Sequence, residues 1–454
     1  MKKRVWLFCI FIGCLTCSAC AGIQETAKPV STVPLEQDTL EMEPDFSYAV
    51  QPQQPHILID QAGYQCQDKK IAFFYGNELN ETFEIRREET EEVVYEGTLG
   101  QVKEVDGQML YTGIFTDFVE EGDYYIHQEQ VGDSYSFSIT KSIYNQKYKQ
   151  LENILLKEKY TFVTDQAYVL ANYMFIDEMF EETWTNISYI RAKVETLLNS
   201  QNIVTGAFYS EILDEPVDTE VYEGEISLST TAQMAGVLAQ YAYLYREAED
   251  PIFINQCLQA AQKAYKYVEK YRDNTDTDAW YFAAVQLYRA TRQYKYRTAI
   301  LEYDTLPVES RSSTAQGYTI LADFTYLSTP YGTDYTRCAV LLDSYLDKAQ
   351  NISTNSSREN FYVLENLDTM SDEEILEDMV ILGVVNHVLS GQEYAGAQKN
   401  YIHYLSGVNE ERRDFMTETI VIEEGTDCID TANVTKLLVV YGNLYEGIEI
   451  EDDN

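Results

Sequence analysis

The sequence predicts two folded domains, a small β-sandwich followed by a larger helical domain. Between residues 57 and 139, short runs alternate apolar with polar side chains, and turn residues separate the runs. After residue 144 the apolar residues recur at helical spacing instead. With 454 residues, of which 45% are hydrophobic, the chain is long enough for each domain to bury a core of its own.

A leader segment comes first in the chain. Basic residues at positions 2–4 precede an apolar run over 5–15, which is typical of a secretory signal and too short to span a bilayer. Two small residues stand directly before Cys20, which is similar to a bacterial lipobox. We expect removal of residues 1–19 and lipidation of Cys20, which would anchor the protein on the outer face of the cytoplasmic membrane. Simple cleavage with release from the cell is the alternative.

A tether and the β-sandwich follow the leader. Residues 20–55 hold five prolines among Glu, Gln, Thr and Ser with little apolar periodicity, which predicts a disordered tether. Residues 56–141 are predicted to form the sandwich because their apolar residues recur at every second position. The runs that predict its strands are 71–75, 82–85, 93–95, 110–111, 122–126 and 135–139.

The helical domain is predicted over residues 142–450. Asp250 and Pro251 supply an N-cap and a proline at the first helical position. Ser371 and Glu374 have the spacing of a capping box. We expect roughly eleven to thirteen helical segments from this pattern. One stripe at helical spacing is assigned to the core and consists of Met234, Leu238, Tyr241 and Tyr245.

The charge of the chain excludes one large class of partner. The net charge is −42, and loss of the three basic residues at positions 2–4 makes it −45. Such a surface repels phosphate backbones, so we expect no nucleic-acid binding, whereas a neutral glycan meets no such barrier. The 38 tyrosines suit the faces of sugar rings, and they equally suit packing between helices with the hydroxyl at the surface.

Three segments together resemble one enzyme family. Residues 57–64 read Ile-Leu-Ile-Asp-Gln-Ala-Gly-Tyr, residues 279–291 contain Leu-Tyr-Arg-Ala-Thr, and residues 404–409 read Tyr-Leu-Ser-Gly-Val-Asn. In this order they resemble glycoside hydrolase family 9, the inverting cellulases. The resemblance implies an immunoglobulin-like β-sandwich, then an (α/α)6 barrel of six helix pairs. It also implies a substrate class of β-1,4-glucans or cello-oligosaccharides.

The segment 204–214 resembles the Gly-Gly-Trp-Tyr-Asp-Ala-Gly-Asp motif of this family, whose two aspartates activate the attacking water. Ser210 and Leu213 stand where those aspartates should be, and neither side chain can act as a general base near neutral pH. Glu211 and Asp214 lie close by and could substitute if the loop shifted by one residue. The alternative is that they belong to a solvated acidic loop.

The general acid of the family is a glutamate just before the last barrel helix. The corresponding stretch here is 423–433, where one register places Asp427 at the acid position and another places Thr426 there. Aspartate is one methylene shorter than glutamate and reaches the leaving oxygen less well. A hydrolase with displaced carboxylates would use Glu211 or Asp214 as base with Asp427 or Glu424 as acid. The His-His-Arg sugar-binding motif of the family is absent after residue 409.

The leading hypothesis is a surface protein that descends from β-glucan hydrolases, binds carbohydrate and has weak or no hydrolytic activity. Its rivals are the displaced-carboxylate hydrolase and a non-catalytic structural or interaction protein. No metal is predicted from the four cysteines after Cys20, which are far apart and show no zinc-site spacing, and no cofactor is predicted because the chain has no P-loop, HExxH or dinucleotide fingerprint. A calcium site in the acidic loop is an alternative, since carboxylates suit a hard cation. The aromatic residues predicted to bind sugar are Phe208, Tyr209, Tyr222 and Trp280.

Overall fold

The computed structural model has β-strands followed by helices in the order that the sequence predicts. The residues that the structure describes are 54–105, 107–180, 186–272, 277–306, 317–356, 370–389, 391, 393–409, 411–414 and 431–445. The predicted leader, Cys20 and nearly all of the predicted tether lie outside these residues, as do Asp427 and Cys428. No helix in these ranges is both long and apolar enough to cross a membrane.

Nine strands form the N-terminal domain. They are β1 Ile57–Leu58, β2 Tyr64–Gln65, β3 Ile71–Tyr75, β4 Thr82–Arg87, β5 Val93–Val105, β6 Gln108–Ile114, β7 Gly122–Gln128, β8 Gly132–Asp133 and β9 Phe137–Thr140. The strand order is β1-β3-β6-β5-β4-β7-β9-β2, with β8 beside β7. The predicted strand positions are confirmed, although β5 runs far beyond the three residues that the sequence indicates.

The long strand β5 joins the two halves of this order. Its first half pairs with β4, and its second half pairs with β6 after the register shifts between Leu99 and Val102. The inward side chains alternate as the pattern predicts, for example Tyr124 and Ile126 on β7, each with no exposed surface. Aromatic rings fill the space between the layers. The domain is therefore an immunoglobulin-like sandwich with a core of its own.

Twelve helices follow within the described residues. They are α1 Ile143–Lys157, α2 Val163–Met179, α3 Ile187–Asn199, α4 Leu228–Leu244, α5 Pro251–Tyr271, α6 Thr277–Thr291, α7 Tyr294–Thr305, α8 Thr319–Ser328, α9 Tyr335–Ser356, α10 Asp372–Val388, α11 Ala395–Leu405 and α12 Thr431–Asn443. Both predicted helix starts are confirmed. Asp250 accepts from the backbone N–H of Ile252 at 3.0 Å, and Ser371 forms a capping box with Glu374.

Burial divides these helices into an inner and an outer set. Helices α2, α4 and α6 are buried almost all round, whereas α5 and α9 bury one face and expose the other. Along the inner set α2, α4, α6 and α8 pack side by side in sequence order, and α12 packs against both α10 and α2. The alternation of outer and inner helices is the (α/α)6 barrel.

A buried ion pair lies near the carboxyl ends of inner helices α2 and α6. Arg289, in the Leu-Tyr-Arg-Ala-Thr motif, has no exposed surface and pairs with Glu178. Its guanidinium also donates to Gln286 Oε1 at 2.9 Å and lies 4.4 Å from the ring centre of Tyr243. The motif is thus a packing element of the barrel. Removing either charge would leave the other one buried without a compensating charge, which destabilises the fold.

The sandwich and the barrel share a strand that is buried on both faces. On β3, Ala72 and Phe74 point into the sandwich core, while Ile71, Phe73 and Tyr75 join the core of the helical domain. The same strand therefore contributes to two hydrophobic cores at once. A continuous apolar run buried on both faces, without alternation, is the expected sequence for such a position.

Two of the three family-like segments meet at this domain junction. Asp60, from segment 57–64, lies with its Oδ2 2.7 Å from Nδ1 of His403, directly before segment 404–409. Both side chains are buried. The other oxygen of Asp60 accepts from the backbone N–H of Ala62 at 2.7 Å. Burial raises the pKa of Asp60, and the bond to His403 opposes that rise.

A glycine permits the close approach of the two domains. Gly407 has a φ of +122°, and a Cβ at this position would lie 2.8 Å from the carbonyl oxygen of Ile59. Beside it the N–H of Gln61 donates to the carbonyl oxygen of Ser406 at 2.7 Å. A larger residue than glycine would push the strand away and break this bond. The glycine of segment 404–409 is therefore required by the junction rather than by chemistry at the mouth.

Candidate functional site

The segment that resembles the family's base motif lies beside the first turn of inner helix α4. Its residues Phe208–Tyr209 form a short strand, β10, which pairs with β11, Ile226–Ser227. The N–H of Phe208 donates to Thr231 Oγ1 on α4 at 2.9 Å. The motif is thereby fixed to the amino-terminal end of an inner helix, and we call this end of the barrel the mouth.

Backbone hydrogen bonds hold the motif on both sides of Ser210. Its N–H donates to the carbonyl oxygen of Glu225 at 2.8 Å, and its own carbonyl oxygen accepts from the N–H of Val163 at 2.9 Å. Glu225 precedes β11, and Val163 begins inner helix α2. The motif therefore lies between the first turns of two inner helices.

Hydrogen bonds also hold the backbone of the segment around Leu213. The N–H of Ile212 donates to the carbonyl oxygen of Thr161 at 2.9 Å, and the N–H of Leu213 donates to Ser200 Oγ at 2.9 Å. Bonds at 208, 210, 212 and 213 fix one register for the whole segment. A shift by one residue would break all of them, each at a net cost of about 1 kcal/mol.

The acidic residues around the motif face solvent. Glu211 and Asp214 are exposed, and Asp214 is anchored through its carbonyl oxygen, which accepts from Asn199 Nδ2 at 2.8 Å. The whole acidic set from this loop is exposed, namely Glu211, Asp214, Glu215, Asp218, Glu220, Glu223 and Glu225. This is the solvated acidic loop of the alternative interpretation. A catalytic role for Glu211 or Asp214 stays a prediction.

Three of the four aromatic residues predicted to bind sugar are buried. Phe208, Tyr209 and Trp280 expose 0%, 2% and 3% of their surface. Asn202 Nδ2 donates to the hydroxyl of Tyr209 at 3.0 Å, and the guanidinium of Arg272 covers Trp280 at 3.9 Å from a ring centre. A buried ring offers no face to a ligand. The structure therefore does not place these three residues on a groove.

Tyr222 is the one member of that set that remains accessible. Its ring is half-exposed and meets the ring of Tyr209 edge-on, with 4.9 Å between the centres. Tyr209 thus acts as a support for Tyr222. Sugar binding stays a prediction for Tyr222, whose outer face is free of this contact.

Buried aromatic and polar side chains from several helices contact one another just below the mouth. The rings of Tyr168 on α2 and Tyr318, which precedes α8, meet with 5.7 Å between their centres. The N–H of Tyr318 donates to Oδ2 of Asp278 at 2.9 Å, and its hydroxyl donates to Gln233 Oε1 at 3.5 Å. Tyr168, Tyr318, Gln233 and Asp278 are all buried. We call these four residues the floor of the mouth.

Sequence reasoning missed two carboxyl groups near this floor. Asp278 belongs to it, and Asp165 lies in the first turn of α2, two residues beyond Val163. Burial raises the pKa of Asp165, and a bond to the hydroxyl of Thr164 opposes the rise. Neither residue falls in a segment that resembles a family motif. Their relation to the mouth depends on contacts across the barrel, which no local pattern reveals.

Three of the cysteines that follow Cys20 lie within the described residues. Cys66 and Cys257 are buried free thiols, and Cys338 is a half-buried free thiol. Burial raises the pKa of the Cys257 thiol, as expected for an inert packing residue. Within the described ranges no group of three or more His, Cys, Asp or Glu residues could hold a metal ion.

Comparison with known families identifies both domains. Residues 210–424 match the model of glycosyl hydrolase family 9, and residues 52–133 match that of the cellulase N-terminal ig-like domain. The helical domain belongs to glycoside hydrolase family 9. Its matched region includes the degenerate motif from Ser210 onward as well as the segments 279–291 and 404–409.

Solved structures of family 9 proteins share the fold of this chain. A metagenome-derived family 9 endoglucanase aligns with a TM-score of 0.66 at 17% identity, covering 86% of this chain and 98% of that one. A family 9 protein from Bacteroides ovatus gives 0.63 at 15% identity, with 86% and 99% covered. A mutant thermostable endoglucanase from Alicyclobacillus acidocaldarius gives 0.60 at 17%, with 79% and 83% covered. No curated protein matches the chain in sequence.

The similarity to these solved structures establishes the fold of the family 9 domain. The activity of the domain depends on its own residues. Backbone hydrogen bonds hold Ser210 and Leu213, and their assignment to the family's base positions stays a prediction from the sequence. The candidate acids Asp427 and Glu424 lie outside the described residues, so their role stays a prediction. The site within the described residues holds a floor of buried polar side chains, an accessible tyrosine and a half-buried carboxyl.

Proposed function

We propose that this chain binds β-1,4-glucan chains or cello-oligosaccharides at the mouth of its barrel and hydrolyses them weakly or not at all. The family 9 fold supports the substrate class, because the solved structures similar to this chain include family 9 endoglucanases. A net charge of −42 is compatible with a neutral glycan and opposes an anionic one.

The register of the base motif is the observation that carries the proposal. The sequence resemblance puts Ser210 and Leu213 at the base positions, and backbone bonds to neighbouring segments hold both residues. A serine hydroxyl without a partner base and an alkyl side chain cannot take a proton from water at neutral pH. General-base catalysis contributes about 10²–10⁴ in rate, so its loss leaves at most slow turnover.

The proposal also places the protein at the cell surface. The leader, the small residues before Cys20 and the proline-rich stretch up to residue 55 support a lipid anchor with a flexible tether. Labelling of cells with a fatty-acid analogue should mark the wild-type protein. A Cys20→Ala variant should lose the label and leave the membrane fraction, while labelling that persists in this variant would contradict the anchor.

One experiment tests binding and hydrolysis on the same preparation. The protein without residues 1–19 would be applied to a glycan array, titrated with cellopentaose and incubated with soluble β-glucan. An active family 9 endoglucanase serves as the positive control for release of reducing ends. We expect micromolar to millimolar binding of β-1,4-linked oligosaccharides with release of reducing ends at least about 100-fold slower than the control. Rapid hydrolysis would overturn the proposal.

The displaced-carboxylate hydrolase is the second candidate, and the exposed position of Glu211 beside Ser210 favours it. It needs a carboxyl pair about 6.5–9.5 Å apart across the bound sugar. Under this hypothesis Glu211→Gln and Asp427→Asn would each abolish whatever hydrolysis the wild type shows. Activity that survives both substitutions would exclude this pair.

A non-catalytic interaction protein is the third candidate. Outer helix α9 exposes Tyr335 and Val340 at 89% and 63%, which supports a role for the barrel wall rather than its mouth. This hypothesis predicts that no oligosaccharide on the array is retained. Retention of cello-oligosaccharides by the wild type, lost in Tyr222→Ala but kept in Val340→Ser, would place binding at the mouth.

A further inference from the structure

The floor of the mouth fixes where the neighbouring side chains of α2 must lie. Tyr168 reaches across the barrel to Tyr318, so its face of α2 looks toward the barrel axis. Asp165 is three residues earlier on the same helix, and residues three apart share a face. Helical side chains also lean toward the amino terminus. Asp165 therefore lies on the axis-facing side, one turn closer to the mouth than the buried ring.

Helix α4 repeats this arrangement with different residues. Gln233 belongs to the floor, where its Oε1 faces the Tyr318 hydroxyl, and its Nε2 donates to Ser229 Oγ at 3.2 Å. Ser229 is one turn closer to the mouth and is half-exposed, as is Asp165. Inner helices α2 and α4 pack side by side. Asp165 and Ser229 are therefore polar side chains that lie one turn above the floor.

The carboxyl of Asp165 has an unusual balance of burial and partners. It is half-buried, and among the described residues no Lys, Arg or His forms an ion pair with it. Its hydrogen-bond partner is the hydroxyl of its chain neighbour Thr164, and its charge adds to burial in raising the pKa of Tyr318 and Tyr160. Burial without a neighbouring cation raises the pKa of Asp165. A ligand with hydroxyl groups could supply the hydrogen bonds that such a carboxyl lacks.

We infer that Asp165 and Ser229 hold a sugar ring at the floor of the mouth, through hydrogen bonds to its hydroxyl groups. This inference rests on the proposed function and names the residues that carry it. A carboxylate accepts from two neighbouring hydroxyls of one sugar, and such charge-assisted bonds are the stronger kind. The serine hydroxyl can donate to a third oxygen while it accepts from Gln233. The ring would then rest above the aromatic floor.

A structural role for Asp165 makes a different prediction. An acidic residue in the first turn of a helix favours the helix through its dipole. Removal of Asp165 would then lower the melting temperature slightly and leave ligand affinity unchanged. Affinity and melting temperature must therefore be measured on the same variants.

The test compares cellopentaose affinity by calorimetric titration in the wild type and four variants. We expect Asp165→Ala to weaken binding at least about tenfold, and Asp165→Asn and Ser229→Ala about threefold, with melting temperatures close to that of the wild type. Glu220→Gln, which removes an exposed charge from the neighbouring acidic loop, is the matched control and should bind as the wild type does. Equal affinity in Asp165→Ala and the wild type overturns this inference and leaves the proposed function standing. No measurable binding by the wild type overturns both.

A second measurement needs no variant. Carbodiimide coupling of an amine labels accessible carboxyl groups, and peptide mass spectrometry reports the extent at each one. Cellopentaose should protect Asp165 severalfold, whereas Glu220 should label equally with and without the sugar. Equal labelling of Asp165 in both conditions, at a concentration where calorimetry shows saturation, would also overturn the inference.

Discussion

The domain junction and the mouth of the barrel differ in how closely they follow the family's sequence pattern. At the junction the resembling segments meet each other directly, through Asp60 beside His403 and Gly407 against Ile59. At the mouth the sequence resemblance predicts that Ser210 and Leu213 stand in place of the two aspartates of the family's motif. Replacing one member of a buried pair at an interface costs much folding free energy, whereas a half-exposed position accepts many side chains at little cost. The fold can therefore persist while the chemistry at the mouth changes.

The largest expected effect tests the junction. Asp60→Ala removes the carboxylate that contacts buried His403 and accepts from the N–H of Ala62, so we expect a loss of about 3–5 kcal/mol in the free energy of unfolding. Urea unfolding at neutral pH, followed by circular dichroism, measures this loss. A change below about 1 kcal/mol would show that the junction does not depend on the pair, and the contrast with the mouth would weaken.

The next effect separates packing from binding inside the motif. Tyr209 is buried and supports Tyr222, so Tyr209→Ala should cost about 3 kcal/mol of stability. Tyr222→Ala should cost much less, because its ring is half-exposed. In titrations with cellopentaose we expect Tyr222→Ala to lower affinity severalfold at nearly unchanged melting temperature. If Tyr209→Ala proved as stable as the wild type, the ring would not be a core residue.

A smaller, pH-dependent effect is expected within the barrel wall. Burial raises the pKa of Asp378 on α10 from 3.8 to about 6; Glu377 and Glu374 add to the rise, and Lys348 opposes it. The folded state binds the proton of Asp378 more tightly than the unfolded state does. The contribution of Asp378 to stability is therefore most favourable below about pH 4 and is lost as the pH rises through 6. Asp378→Asn removes this loss and should stabilise the protein by about 1–2 kcal/mol at pH 7. At pH 4 the variant and the wild type should melt together.

Thermal melts across pH 4–8 provide the measurement for Asp378. The matched control is Asp347→Asn on α9, an exposed aspartate whose replacement should leave the pH profile unchanged. A constant stability difference between Asp378→Asn and the wild type at every pH would contradict a titrating origin. Such a result would place Asp378 among ordinary surface residues, in spite of its burial.

The smallest effect on stability is expected at the mouth itself. Ser210 is half-exposed and bonded only through its backbone, so Ser210→Asp should change stability by no more than about 0.5 kcal/mol. Combined with Leu213→Asp it restores the family's base residues. We expect hydrolysis of soluble β-glucan to stay at the wild-type level, because the sequence also predicts a departure from the family at the acid position. A rise of 100-fold or more would show that the rest of the catalytic site is intact.

The sequence predicts the architecture well because the relevant signals are local. Alternation predicts strands such as β7, and Asp250 and Ser371 predict helix starts that the structure confirms. The extent of β5 was missed because its second half, beyond Gly97, alternates weakly. Domain order and fold class follow from the same local signals together with the family resemblance.

The site is less predictable because its residues are brought together by distant contacts. Tyr209 and Trp280 fit a sugar platform by residue type, yet local patterns cannot tell a ring in a groove from a ring in the core. Asp165 and Tyr318 are far apart in sequence, and only the packing of α2 against the start of α8 relates them. The acidic loop shows the reverse case. Its exposed carboxylates are conspicuous in the sequence and make few contacts in the fold.

The closure of the barrel has a consequence for how the protein is made. Helix α12 packs against α1 and α2, so the ring is completed by contacts between the beginning and the end of the helical domain. A chain that is threaded across a membrane from its amino terminus delivers α12 after every other described helix. Until then the inner faces of α1 and α2 lack their neighbour and remain open to solvent. Under the proposed export across the membrane, the helical domain should therefore mature only once export is nearly complete, while the sandwich, delivered first, can form its own core earlier.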